Sequence, residues 1–93
     1  MESQALAFDA LQLQRRLQSE CLTRVGDQFE RNAVQSIVQK LAEIVHRLQS
    51  GELPPREKRF GEIARMAEEI DLHVIPAEIG RELIRVERIY RDL

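Results

Sequence analysis

Glu43 and His46 stand three residues apart. Carboxylate-bridged di-metal sites in four-helix bundles use this spacing to put a carboxylate and an imidazole on one helix face. Such a site needs both side chains in the core. At about 100° per residue, each lies about 150° from the centre of the neighbouring apolar seam, one on either side of the opposite face. The chain holds no second Glu-x-x-His. A solvated face is expected, with no metal and no cofactor. His73 follows Asp71 and lies near Glu68 and Glu69, so an acid–imidazole pair is easy to draw. Its place beside an interhelical turn predicts a surface or capping histidine instead. Cys21 is the single cysteine, which leaves no internal disulfide and no cysteine-based metal cluster. It falls beside Leu17 on an apolar stripe, so a buried structural thiol is expected. No serine or cysteine stands in a nucleophile-elbow or triad context, and the glycines are scattered singly, without a phosphate loop. The expectation is a chain without catalytic residues, not an enzyme.

Arg81, Arg85, Arg88 and Arg91 recur at spacings of 4, 3 and 3 and form a basic stripe opposite the apolar seam of the last helix. Such a stripe can meet an anionic partner, and a recognition helix tracks phosphates in this way. The same helix supplies carboxylates, however. Glu78 stands three before Arg81, Glu82 three before Arg85, Glu87 four before Arg91, and Asp92 four after Arg88. Each arginine therefore has a helical ion-pair partner, and a salt-bridged solvent face is predicted. The stretch from Glu62 to Ile84 invites comparison with a helix-turn-helix. A charged residue fills the usual glycine position, and the connector is long and holds Pro76.

The elements that position these residues read as helices throughout. From Ser3, a plausible N-cap, to about Val25, the residues Leu6, Ala10, Leu13, Leu17 and Cys21 fall within about 80° of one another. Phe8, Leu11, Leu22 and Val25 occupy an adjoining sector, so the first helix must touch more than one neighbour. Gly26 either breaks this helix or is carried through it at a cost of about 1 kcal/mol. Asp27-x-x-Glu30 reads as a capping box opening a second helix. Its seam runs Val34, Ile37, Leu41, Ile44 and Leu48, broadened by Val38 and Val45. Gly51 is placed for a left-handed C-cap, and Glu52-Leu53-Pro54-Pro55 marks the linker. A third helix from near Arg56 to about Asp71 carries Phe60, Ile63, Ala64, Ala67 and Ile70. Leu72 to Ile75 read as a turn, Pro76 as the first residue of the last helix, and Ile79, Leu83, Val86, Tyr90 and Leu93 as its seam.

Composition sets the class. Of 93 residues, 43% are hydrophobic and 32% charged, a soluble globular mix. The net charge of −2 speaks against a strongly basic nucleic-acid binder. Four aromatic residues, none of them Trp, disfavour an all-β fold. The Met-Glu-Ser-Gln start carries no basic leader, the longest early apolar run is Ala5–Phe8, and no membrane span is foreseen; the expected location is the cytoplasm. The predicted fold is all-α: one helical domain, 1–93, built as a long antiparallel hairpin (1–50), a proline-containing linker (51–57) and a shorter hairpin (58–93). It has the character of a four-helix bundle completed by dimerisation. The first expectation for function is a protein–protein interaction module, an adaptor, an assembly or secretion chaperone, or a regulator. Its contact residues would be Phe8, Leu11, Leu22, Val25, Ile84 and Ile89, since Ile84 and Ile89 lie off the last helix's seam on opposite flanks. The alternative is a small DNA-binding transcriptional regulator using the C-terminal helix pair and the Arg81/Arg85/Arg88 stripe.

Overall fold

The computed structural model describes residues 2–59, 62–70 and 72–93, with Glu2 in backbone only. Among them the chain is all-helical. Helix α1 spans Glu2–Arg16 and runs on into one π-helical turn, Leu17–Cys21, in which Leu22 N donates to Leu17 O at 2.9 Å. Helix α2 spans Gln28–Ser50, a short 3₁₀ turn covers Arg56–Lys58, α3 spans Glu62–Glu68 and α4 spans Ala77–Asp92. The apolar stripes meet in one core. Leu17 and Cys21 of the π turn, Val34, Ile37 and Leu41 of α2, and Leu83 and Val86 of α4 are fully shielded there. Ile63 and Ile70 close it from one side, and Val74 and Ile75 plug it from the turn before α4. Leu93 packs against its edge.

Helix ends show where local sequence decides and where it does not. Asp27 is extended (φ −144°, ψ 172°) and its carboxylate accepts from Glu30 N at 2.8 Å. Glu30 returns the contact one residue further out, accepting from Gly26 N at 3.2 Å. This reciprocal cap fixes the start of α2 and makes residues 22–27 a break. The first helical stretch therefore ends at Cys21 and not at Val25. Helix α1 already includes Glu2, so Ser3 lies inside its first turn and is not the cap. Gly51 takes φ 77°, and its N–H donates to Arg47 O at 3.0 Å, closing α2.

The third helix differs most from its prediction. Its expected length from Arg56 to Asp71 divides into the 3₁₀ turn and a seven-residue α3. Contacts from elsewhere in the chain decide this. The Arg59 guanidinium donates to Pro54 O at 2.8 Å and to Tyr90 O at 3.1 Å, tying the 3₁₀ turn to the end of α4. Phe60 and Asp71, assigned to that helix from the sequence, lie outside the described residues. Pro76 is the N-cap of α4, with ψ 153°, and not its first helical residue; its carbonyl accepts from Gly80 N at 3.0 Å.

Candidate functional site

Two sectors of α1 are apolar, and only one can face the core. Leu6, Ala10 and Leu13 are buried, whereas Phe8 is left 61% exposed. Beside it an open groove of about 450 Å³ runs between the start of α1 and the end of α2. Ala7, Phe8, Leu11 and Leu48 give it an apolar lining, and Ser3, Gln4 and Gln49 complete it. None of these seven residues carries a charge. Chemically the groove offers an aromatic knob, a shallow apolar floor and neutral hydrogen-bonding side chains. That combination suits an apolar protein side chain.

The six contact residues expected from the sequence are not brought together. Phe8 and Leu11 share the groove. Leu22 and Val25 lie beyond the π turn, half-buried against the core, and Ile89 packs on the core from α4. Ile84 is half-buried on a different sector of α4. Sequence reasoning missed the groove's floor, because Leu48 belongs to the α2 seam and only the pairing of α1 with α2 exposes its edge. It also missed the exposed Phe29 and Leu72, 72% and 70% accessible.

On the arginine stripe, the predicted pairing is corrected. Only Glu82–Arg85 forms as expected, at 2.8 Å, and Asp9 of α1 joins it at 2.9 Å. Both carboxylates hold the Arg85 guanidinium above its ordinary value. Glu78 reaches across to Arg16 of α1 at 2.8 Å and does not pair with Arg81. Glu87 turns inward, away from Arg91. Asp92 lies 3.9 Å from Arg91 Nε and makes no pair with Arg88. Among the described residues Arg81 and Arg88 have no ion pair: Glu78 is drawn to Arg16 of α1, and Asp92 lies beside Arg91.

Glu87 explains itself by its surroundings. Its oxygens accept from Ile63 N at 2.9 Å and Ala64 N at 3.1 Å, the donors that α3 leaves open at its start. The sequence carries a signal for this, since Glu87 falls four after Leu83 and three before Tyr90, on the inward stripe. In return the linker caps α4. Arg59 contacts the carbonyls of Tyr90 and Arg91 with its guanidinium carbon 5.8 Å from the Tyr90 ring centre, and Arg56 donates to Asp92 O at 3.0 Å. A cleft of about 110 Å³ lies among α2, the linker and α4, bordered by the 2.7 Å Lys40–Glu62 pair. That bond holds Glu62 below the usual carboxylate range and Lys40 above its own.

The remaining candidates are placed plainly. Glu43 and His46 are both exposed on α2, and no three His, Cys, Asp or Glu residues are grouped to hold a metal among the described residues. His73 is exposed in the turn before α4. Cys21 is fully buried, and burial pushes its thiol up, away from the reactive thiolate. Residues 69–76 separate α3 from α4, longer than the three- or four-residue turn of a helix-turn-helix. No helix among the described residues is long and apolar enough to cross a membrane. Comparison of the chain with protein-family models, curated proteins and solved structures finds no match in any of the three.

Proposed function

We infer that the chain is a non-enzymatic protein–protein interaction module, and that it self-associates through the groove beside Phe8. The observation that carries this reading is a 61% exposed phenylalanine set next to an uncharged apolar groove on the same face. A two-fold axis places the same patch on both copies, so that residues near the axis meet their own counterparts. Charged residues repel one another in that position. A knob beside a hollow, without charge, is self-complementary: Phe8 of each copy enters the groove of the other.

The helices behind this surface are read as two antiparallel hairpins. Contacts support the arrangement: Ser3 and Phe8 share a groove with Leu48, which sets the start of α1 against the end of α2, and the backbone of Ile63 and Ala64 meets Glu87, which sets the start of α3 toward the end of α4. The buried single thiol supports a reducing, cytoplasmic setting.

Light scattering coupled to size exclusion tests the reading. At micromolar concentration the chain is expected at twice its 10.8 kDa mass, and Phe8→Glu and Leu11→Glu at the single-chain mass with the melt retained. A wild-type monomer across the accessible concentration range overturns it.

A further inference from the structure

A second surface lies on α4, away from the groove. Helical spacing gives every arginine there a carboxylate, yet only Glu82 stays with its Arg85: Glu78 meets Arg16, Glu87 caps the α3 backbone, and Asp92 lies beside Arg91. Arg81 and Arg88 remain exposed, without an ion pair among the described residues, on one sector of the helix. Seven residues apart, they stand about 10 Å from each other along the axis. Ile84, half-buried, lies between them on the same sector.

We propose that this face docks an acidic amphipathic helix of a partner protein. An arginine fork matches a carboxylate bidentately, and the two forks are set about two helical turns apart. A partner helix with Asp or Glu at i and i+7 and a leucine at i+3 or i+4 presents the complementary pattern, its leucine covering Ile84. Nucleic acid fits less well. A phosphate backbone has no counterpart for Ile84, and two unpaired arginines release few counterions. This face is separate from the groove, so the inference stands or falls independently of self-association.

Fluorescence anisotropy with three probes tests it. The first is a labelled, alanine-rich helical peptide carrying glutamates at i and i+7 and leucines at i+3 and i+4; the second replaces both glutamates with lysine; the third is a short DNA duplex. The glutamate peptide is expected to bind, more tightly as salt is lowered, and the lysine peptide is not. Arg81→Glu combined with Arg88→Glu is expected to weaken binding by about tenfold or more, which corresponds to about 1.4 kcal/mol. Ile84→Ser weakens it separately, and Phe8→Glu leaves it unchanged. All these positions are exposed or half-buried, and circular dichroism checks that each variant folds. Equal binding of both peptides, binding indifferent to the double reversal and to Ile84→Ser, or tighter arginine-dependent binding of the duplex overturns the proposal.

Discussion

Glu87 is the one charged side chain buried among the described residues. A carboxylate leaves water at a cost of several kcal/mol unless fixed donors replace its hydration. The second and third N–H groups of α3 supply them, the same two that an ordinary N-cap side chain satisfies. Helix α3 therefore receives its cap from α4. Removing the carboxylate strips two backbone donors, one of them deeply buried, of their only acceptor. Glu87→Ala is expected to cost about 2–4 kcal/mol. For a domain of this size that lowers Tm by about 10 °C or more. Glu87→Gln keeps one acceptor oxygen and is expected to lose about half as much. Thermal melts followed at 222 nm decide between these values, and an alanine variant melting within about 2 °C of wild type contradicts the cap. At this scale the sequence gives a usable sign, a carboxylate on an inward stripe. It does not say which backbone receives it, because Ile63 lies 24 positions away in the chain.

Helix boundaries divide by the reach of what sets them. The start of α2 and its end at Gly51 rest on residues within five positions of each other, and both are legible from residue type and spacing. The start of α3 is not, since Glu87 fixes it from α4 and Arg59 ties the turn before it to the Tyr90 carbonyl. Two glycines make the local part testable. Gly51 sits at φ 77° with open space around a would-be Cβ, so only backbone strain opposes a side chain there. Gly51→Ala is expected to destabilise by about 1 kcal/mol. Gly80 also has open space but lies in ordinary helix, four residues after the Pro76 cap. Gly80→Ala is expected to stabilise by about 0.5–1 kcal/mol. Urea titrations of the two variants should move the midpoint in opposite directions; a shift of the same sign in both contradicts the assignment.

Across the whole molecule, the core was readable because every buried stripe follows the helical period, from Leu6 and Leu13 in α1 to Leu83 and Val86 in α4. The exposed surfaces were less so. Which sector of α1 turns outward depends on how α2 and α4 divide the other, and the Phe8 groove exists only as a consequence. Stability is unevenly distributed in such an arrangement. Helix α3 has seven residues, tied down by Ile63, by the half-buried Met66 and Ala67 against the core, by the Glu87 cap and by the Lys40–Glu62 pair. Glu62 is held below the ordinary carboxylate range chiefly by its hydrogen bond from Lys40. A depressed acid contributes stability that is complete above its ordinary value and lost as pH falls through the depressed one. The raised Lys40 contributes stability that persists at all lower pH until Glu62 is protonated, and is otherwise lost only in strong alkali. Acid should therefore loosen α3 first. The pair is two-fifths exposed on both sides, so the effect is local opening and not global unfolding. Hydrogen exchange followed by NMR from neutral pH to below about 4.5, after correction for intrinsic exchange rates, is expected to show protection at Ile63 and Ala64 falling while Ile37, Leu41 and Val86 hold. Glu62→Gln should bring the neutral-pH protection of those two amides down toward the acid level and flatten its pH dependence. Simultaneous loss at all five amides would mean that α3 is part of one cooperative unit with the long helices.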